Sequence, residues 1–350
     1  MAKASTQSFS KWKIIVPTIL GFGVIVYMFA KDFLGETGPE NMASLKQVSF
    51  SWSMVLWFAV ALLLMVGRDL GFTIRYRYLT DKLLTWKQCV KVTLLAEFGS
   101  AITPSTIGGS SMAILFLTKE KVPVGKSTTI VFVTLLLDEM FFVVTFPILL
   151  LFIPSETLFQ TGSAIETGVF GLFMAAYVIK LFICLGLIVG LFFKPQAIRW
   201  LLIAIFKLPF LRRWRNAAIK AGDDIIISSR EIRGKRLNYW FPLIVATILS
   251  WCSRYLVVNA IFMAFFAVSD NLLVFARQFV MWILMVVSPT PGGSGFTEVI
   301  FNGYLAEFIA LPGLVPVIIL IWRLLTYYNY LFIGSILVPR WAKDAFGKKE

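Results

Sequence analysis

The sequence predicts an all-α polytopic membrane protein, with six transmembrane helices and two re-entrant, broken-helix hairpins arranged as inverted repeats. Three observations carry this reading. Hydrophobic residues make up 58% of the 350 and charged residues only 15%, against about 45–50% and about 25% in soluble domains. The apolar residues gather into runs such as Ile14–Ala30 and Ile179–Phe193, which reach or approach the roughly 20 residues that cross a hydrocarbon core. Two apolar stretches carry the same breaker pattern, proline beside paired glycines.

Taken in order, full spans are read at 12–30, 50–67, 127–153, 169–193, 238–268 and 314–338. The first follows Lys3, Lys11 and Lys13, as in a signal peptide. Its run is longer than the usual apolar core of such a peptide and no small-x-small site follows, so it reads as an uncleaved helix. Stretch 92–117 is broken by Pro104 and Gly108-Gly109, and 279–311 by Pro289, Pro291 and Gly292-Gly293. Loop charge decides whether these two cross. Basic residues cluster at the N-terminus and at 68–91, 118–126, 194–236 and 340–350, while the loop 154–168 has none. Short basic loops stay cytoplasmic. If both broken stretches turn back, all five clusters fall on that side; if both crossed, the eleven basic residues of 194–236 would lie outside. The chain therefore reads as one membrane domain over 1–350, with halves at about 50–153 and 238–338 and both termini cytoplasmic.

The two hairpins then enter from opposite faces. One reads Thr103-Pro104-Ser105-Thr106-Ile107-Gly108-Gly109-Ser110, the other Ser288-Pro289-Thr290-Pro291-Gly292-Gly293-Ser294. Thirty-four residues separate Pro104 from Asp138, and Pro289 from Arg323. Inverted repeats with broken helices near the midplane are a transporter signature; chance recurrence of common breakers is the competing reading.

Breaking a helix inside a membrane leaves backbone polar groups to be satisfied by protein or by a wet cavity. A helix starting just after Gly109 or Gly293 would aim free N–H groups at the turn, a site for a lipid phosphate. The candidate binding residues are Ser105, Gly108, Gly109, Ser110, Pro289, Thr290, Pro291, Gly292, Gly293, Ser294 and Glu298, with Arg254 and Arg323, whose planar forks suit phosphate. Glu97, Asp138, Glu139 and Lys180 are candidates for charge pairing. A charge at mid-bilayer costs at least about 2.5–3.5 kcal/mol, so such residues line a cavity or form salt bridges that hold the bundle.

Other function classes fall away. The net charge of +14 sits in short loops, where it sets orientation and touches anionic lipid, so nucleic acid is not expected as a partner. The sequence has no histidine, and Cys89, Cys184 and Cys252 show neither metal spacing nor a disulfide framework. No metal or cofactor is expected. Gly125-Lys126-Ser127 resembles a phosphate loop, but Glu120 stands where its first glycine is required. Gly186 and Gly190 make one small-xxx-small pair. In 194–236, Ile198, Leu201, Leu202, Ile205 and Phe206 form an apolar stripe beside Arg199 and Lys207, followed by Arg212-Arg213-Trp214-Arg215. That is an interfacial helix on anionic inner-leaflet lipid, or else a plain basic loop. The sequence carries no signal of oligomeric state.

Several of these segments together resemble a known family. They are Arg75-Tyr76-Arg77-Tyr78-Leu79, Pro104 through Ser110, Leu117-Thr118-Lys119 leading to Asp138-Glu139, Pro289 through Glu298, and Arg323. Over nearly its whole length the chain resembles the flippase-like transmembrane region of lysylphosphatidylglycerol synthase, the membrane part of the multiple peptide resistance factor. The resemblance implies lipid translocation between leaflets of a bacterial cytoplasmic membrane. In two-part members this region moves an aminoacylated phosphatidylglycerol. No synthase domain follows here, so neither lipid synthesis nor another enzymatic activity is expected. The cargo reads as an anionic or zwitterionic lipid: a phospholipid, an aminoacyl-phospholipid or a polyprenyl-phosphate-linked lipid. An intramembrane headgroup-modifying enzyme and a non-transporting subunit of an envelope complex are the alternatives. With no ATP site, the drive is an ion gradient, the membrane potential or downhill flow.

Overall fold

The computed structural model describes residues 23, 26–36, 38–103, 105–159, 164–207, 215–285, 288 and 290–346. Among them the chain is helical and contains no strand. In order come α1 (Gly38–Lys46), α2 (Trp52–Leu79), α3 (Trp86–Ile102), α4 (Ser105–Lys119), α5 (Val124–Phe152), α6 (Ser155–Phe159) and α7 (Ala164–Ile188), which widens into a π turn over Val189–Phe193. There follow α8 (Pro195–Ile205), α9 (Arg215–Arg233), α10 (Leu237–Phe265), α11 (Asn271–Leu284), α12 (Phe296–Leu305), α13 (Leu314–Arg323), a π turn over Leu324–Tyr328, and α14 (Asn329–Phe346).

Among the described residues, five segments are long and apolar enough to cross a membrane: α2, α5, Gly168–Phe193, α10 and Leu314–Pro339. They match the second to sixth expected spans. The first, 12–30, lies largely outside the described residues. Only 22% of the most apolar window of α2 is buried, so Leu56, Leu63 and Val66 face outward. Apolar surface on that scale is unusual in water and ordinary against lipid.

Helix α2 departs from expectation by running on to Leu79 instead of ending near 67. Residues 68–79 read as loop because they carry Arg68, Asp69, Arg75 and Arg77. Inside the fold their charges find partners: Arg68 pairs with Asp69 at 2.8 Å and Arg75 with Asp138 at 2.5 Å. Both arginines are buried. The basic loop that follows α2 is thus smaller than the sequence suggests, keeping only Lys82, while Lys87 and Lys91 fall in the first turns of α3.

Both broken stretches are helix–break–helix. At about 1.5 Å per residue, α3 and α4 are roughly 25 and 22 Å long, and α11 and α12 roughly 21 and 15 Å. Each falls short of a hydrocarbon core of about 30 Å. The first break is tighter than expected. It falls between Ile102, where α3 ends, and Ser105, where α4 begins, and Gly108-Gly109 lie inside α4. A helix can restart at once after Pro104, whose missing N–H would have no intrahelical partner there anyway. Thr103 Oγ1 donates to the Gly99 carbonyl at 2.5 Å, closing the end of α3.

The contacts gather into two compact units: 1–62, 97–109 and 257–344 in the first; 63–96, 110–256 and 345–350 in the second. In the first, α12 packs on α11 and α13, and α13 on α1. Gly313 sits so close to α1 that a Cβ there would stand 2.7 Å from the Asn41 carbonyl oxygen. In the second, α5 packs on α7 and α9, and α8 on α9. A Cβ on Gly125 would lie 1.9 Å from that of Asp224; close helix approach is therefore the role of the false phosphate-loop glycine. Gly190 packs on Ile198 of α8 while Gly186 has nothing within 4 Å, so the small-xxx-small pair is not a shared packing face. Helix α8 is tied to α9 by Arg199–Asp223 at 2.6 Å and leaves Trp200, Leu201 and Ile205 exposed. Arg212, Arg213 and Trp214 lie outside the described residues.

Candidate functional site

In the first unit the second helix break is built from three consecutive tight connections. Gly293 N–H donates to Thr290 O at 3.1 Å, Ser294 N–H to Pro291 O at 3.1 Å, and Thr297 N–H to Gly293 O at 2.9 Å. Gly292 and Gly293 have φ of +58° and +68°, a left-handed geometry that costs other residues about 1–2 kcal/mol. Space is also absent: a Cβ on Gly292 would be 2.2 Å from the Tyr327 ring and 2.9 Å from the Ala101 carbonyl oxygen. The two breaks touch through a long hydrogen bond, Gly292 N–H to Thr103 O at 3.4 Å. Tyr327 supports the junction. Its hydroxyl donates to Ala101 O at 3.2 Å and accepts from Ser294 Oγ at 3.0 Å.

The charges converge on the same turn. Glu298, in the first turn of α12 and fully buried, accepts from Gly295 N–H at 2.7 Å through Oε2. Its other oxygen lies 2.8 Å from Arg323 Nε. This second contact is close but misaligned, since neither atom has a hydrogen-bond partner. The Arg323 guanidinium lies 4.0 Å from the centre of the Tyr327 ring, a cation–π contact, and Nη2 reaches the Gly292 carbonyl at 3.5 Å. The free amides expected at Gly292–Ser294 are therefore engaged within the protein, and Glu298 already occupies the N-terminus of α12. A carboxylate there is stabilised by the helix dipole.

The remaining binding candidates fall less tightly. Thr290 shares a hydrogen bond with Ser288 at 3.1 Å. Pro291 is half-buried, and Pro289 lies outside the described residues. Ser105, Gly108, Gly109 and Ser110 are in the first turns of α4, Gly109 buried and Ser110 half-buried. Glu97 is half-buried on α3.

The second unit holds a separate buried network. Asp138 of α5 receives both nitrogens of the Arg75 fork, at 2.5 and 3.3 Å, and the Trp251 indole N–H at 2.8 Å. Arg75 also donates to Thr247 at 3.2 Å. Arg254 is half-buried and stacks 5.6 Å from the Trp251 ring centre. Next door, Glu139 is held by Lys180 Nζ at 3.0 Å on each oxygen, with Phe142 4.3 Å from the same ammonium. Adjacent residues on a helix point about 100° apart, which is why Asp138 and Glu139 serve different partners and form no metal pair. Arg254 thus stands beside Trp251, whose indole N–H is bonded to Asp138.

Sequence reasoning missed Arg68 and Arg75 as buried charges. Seven residues apart, they share a face of α2, and that spacing was the available signal. It also missed Arg277, buried on α11, which donates to the Tyr304 carbonyl at 3.1 Å and pairs with Glu307. No metal-binding group of acidic or cysteine side chains occurs among the described residues.

The model of the family described as "Lysylphosphatidylglycerol synthase TM region" matches residues 14–334. The chain belongs to that family. A UPF0104 membrane protein of Archaeoglobus fulgidus is 26% identical over 313 residues, covering 82% of this chain and 89% of its own. No solved structure matches. Family membership and the apolar helices make this a multi-pass membrane protein with a role connected to membrane lipid, and the segments that carried the resemblance all lie within the matched region.

Proposed function

We propose that the protein moves an anionic or zwitterionic lipid between leaflets of the bacterial cytoplasmic membrane, with both termini in the cytoplasm. The observation that carries this is the fully buried Glu298 carboxylate, wedged between the N-terminus of α12 and Arg323. A carboxylate shares its charge and acceptor geometry with a phosphate oxygen pair. Glu298 is thus the resident anion of a site that a headgroup phosphate competes for. When the headgroup enters, it takes Arg323 and the Gly295 N–H. When it leaves, Glu298 returns, and neither Arg323 nor the helix end is left uncompensated in a low-dielectric interior.

The rest of the architecture supports the same reading. Helices too short to cross, a glycine turn at the second break, and a charge in the span that follows each break fit alternating access through inverted repeats. A headgroup cannot cross hydrocarbon alone, because an unpaired buried charge is expensive; a polar site at mid-depth replaces its hydration while the acyl chains stay in lipid. The chain supplies no catalytic constellation in this reading and acts without chemistry on the headgroup.

Competition gives the test. In lipid vesicles, Arg323→Gln abolishes translocation, and Arg323→Lys restores only part, since the planar fork is lost. Glu298→Gln tightens binding of phosphatidylglycerol, because the resident anion is gone. Weaker binding by Glu298→Gln in a folded protein would show that Glu298 contacts the cargo or only braces the fold, and the exchange model would fail.

A further inference from the structure

The second unit contains a polar cleft remote in sequence from the helix breaks. It has a volume of about 120 Å³ and is lined by Leu191, Phe192 and Phe193 of the π turn, Pro195 and Gln196 at the start of α8, and Ser229, Arg230 and Arg233 of α9. Three features point to a phosphate. Ser229 is 2% exposed, and its hydroxyl, on the cleft wall, has no hydrogen-bond partner; such a group normally has one. The cleft lies at the start of α8, an eleven-residue helix; Pro195 has no N–H there, and the Lys194 and Ala197 N–H groups donate to Val189 O at 2.7 Å and Lys194 O at 2.9 Å, so the helix end contributes its dipole, which favours an anion, and the amide of Gln196. Arg230 and Arg233 are exposed on the same wall. Arg233 donates one N–H to the Phe192 carbonyl at 3.1 Å, which steadies it with further N–H groups to spare.

The opposite wall separates a lipid from a free ion. Leu191, Phe192 and Phe193 are apolar, and Phe193 is 69% exposed. Apolar surface beside a phosphate-sized polar pocket suits an amphiphile lying along the protein, with its chains outside the cleft. We propose that this cleft binds the headgroup phosphate of an anionic phospholipid from the surrounding leaflet, as a resident lipid distinct from the cargo. The site holds α8 against α9 from the lipid side, and it gives the 194–236 segment a defined contact with anionic lipid in place of diffuse attraction.

The test is equilibrium binding of short-chain phosphatidylglycerol to the full purified chain in uncharged detergent, with inorganic phosphate titrated separately. Wild type binds the lipid saturably. Arg230→Gln, which removes no contact within the fold, weakens it about tenfold, as expected for a charged hydrogen bond. Ser229→Ala weakens it several-fold. Lys207→Gln, an exposed charge of the same segment outside the cleft, leaves it unchanged, and the losses in Arg230→Gln and Ser229→Ala recur in an Arg323→Gln background, which removes the cargo site's share of the binding. Equal loss in Lys207→Gln and Arg230→Gln would mean diffuse charge attraction and overturn the site. Unchanged affinity in both Arg230→Gln and Ser229→Ala would do the same. Inorganic phosphate binding through Ser229 and Arg230 as tightly as the lipid does would overturn the lipid assignment.

Discussion

Consider removal of the Lys180 charge by Lys180→Met, which keeps most of the side-chain volume. Lys180 and Glu139 are 5% and 8% exposed at the side chain, and both carboxylate oxygens lie 3.0 Å from the ammonium. The substitution leaves the Glu139 carboxyl buried and unmatched. Breaking a buried pair from one side costs about 3–5 kcal/mol, whereas replacing both members with apolar residues of like size is often neutral or stabilising. The single variants Lys180→Met and Glu139→Leu should therefore each lose about 3 kcal/mol, more than a hundredfold in the folding equilibrium. The double variant should recover most of that. The assay is unfolding of the purified protein in mixed micelles titrated with SDS, followed by tryptophan fluorescence and read as a double-mutant cycle. A single variant that loses less than about 1 kcal/mol, or a double variant as unstable as the sum of the singles, would refute the reasoning that this pair is held by mutual neutralisation.

Three further outcomes are expected. Gly292→Ala combines a left-handed backbone with a Cβ 2.2 Å from Tyr327; it should lower stability by about 2–4 kcal/mol, while Gly303→Ala, which meets nothing within 4 Å, should not destabilise in the same micelle titration. At the end of α2, burial pushes the Asp81 carboxyl up, but Lys235 at 2.7 Å and Lys126 at 3.0 Å outweigh it and hold it below its ordinary value. A depressed carboxyl contributes stability that is complete above the unfolded value of about 4 and is lost as pH falls through the folded one. Asp81→Asn, which tolerates the φ of +51°, should thus cost under about 1 kcal/mol per exposed pair at neutral pH, and the difference from wild type should shrink as pH falls below about 4 and vanish only beneath the lowered folded value. Finally, an impermeant thiol reagent on intact cells should label Glu156→Cys, exposed on the short helix α6, and not Glu231→Cys near the end of α9; the reverse pattern would mean that at least one broken stretch crosses the membrane.

Composition and run length disclosed the helical membrane class, four spans to within a few residues and the start of a fifth, because length and hydropathy are the physical conditions for crossing a bilayer. The continuation of α2 was hidden. Arg68 and Arg75 look like loop residues until Asp69 and Asp138 are beside them, and the latter contact joins residues 63 apart. Pro104 revealed a break but not its width, since proline is as much at home at the start of a helix as in a turn. Glu298 and Arg323 were both legible as intramembrane charges. Their pairing was not, nor was the occupation of the Gly292–Gly295 amides, which depends on where Thr103 and the Glu298 carboxylate come to rest.

The most direct test of the central claim is lipid inversion by the purified wild-type protein. Vesicles are prepared with a fluorescent anionic phospholipid in both leaflets, and an impermeant reductant is added outside. In protein-free vesicles only the outer-leaflet half of the signal should be lost. With the protein present, the inner-leaflet half should follow over minutes, and with Arg323→Gln it should again persist. Persistence of the inner-leaflet signal with folded wild-type protein, across phospholipid, aminoacyl-phospholipid and polyprenyl-phosphate-linked probes, would contradict the account.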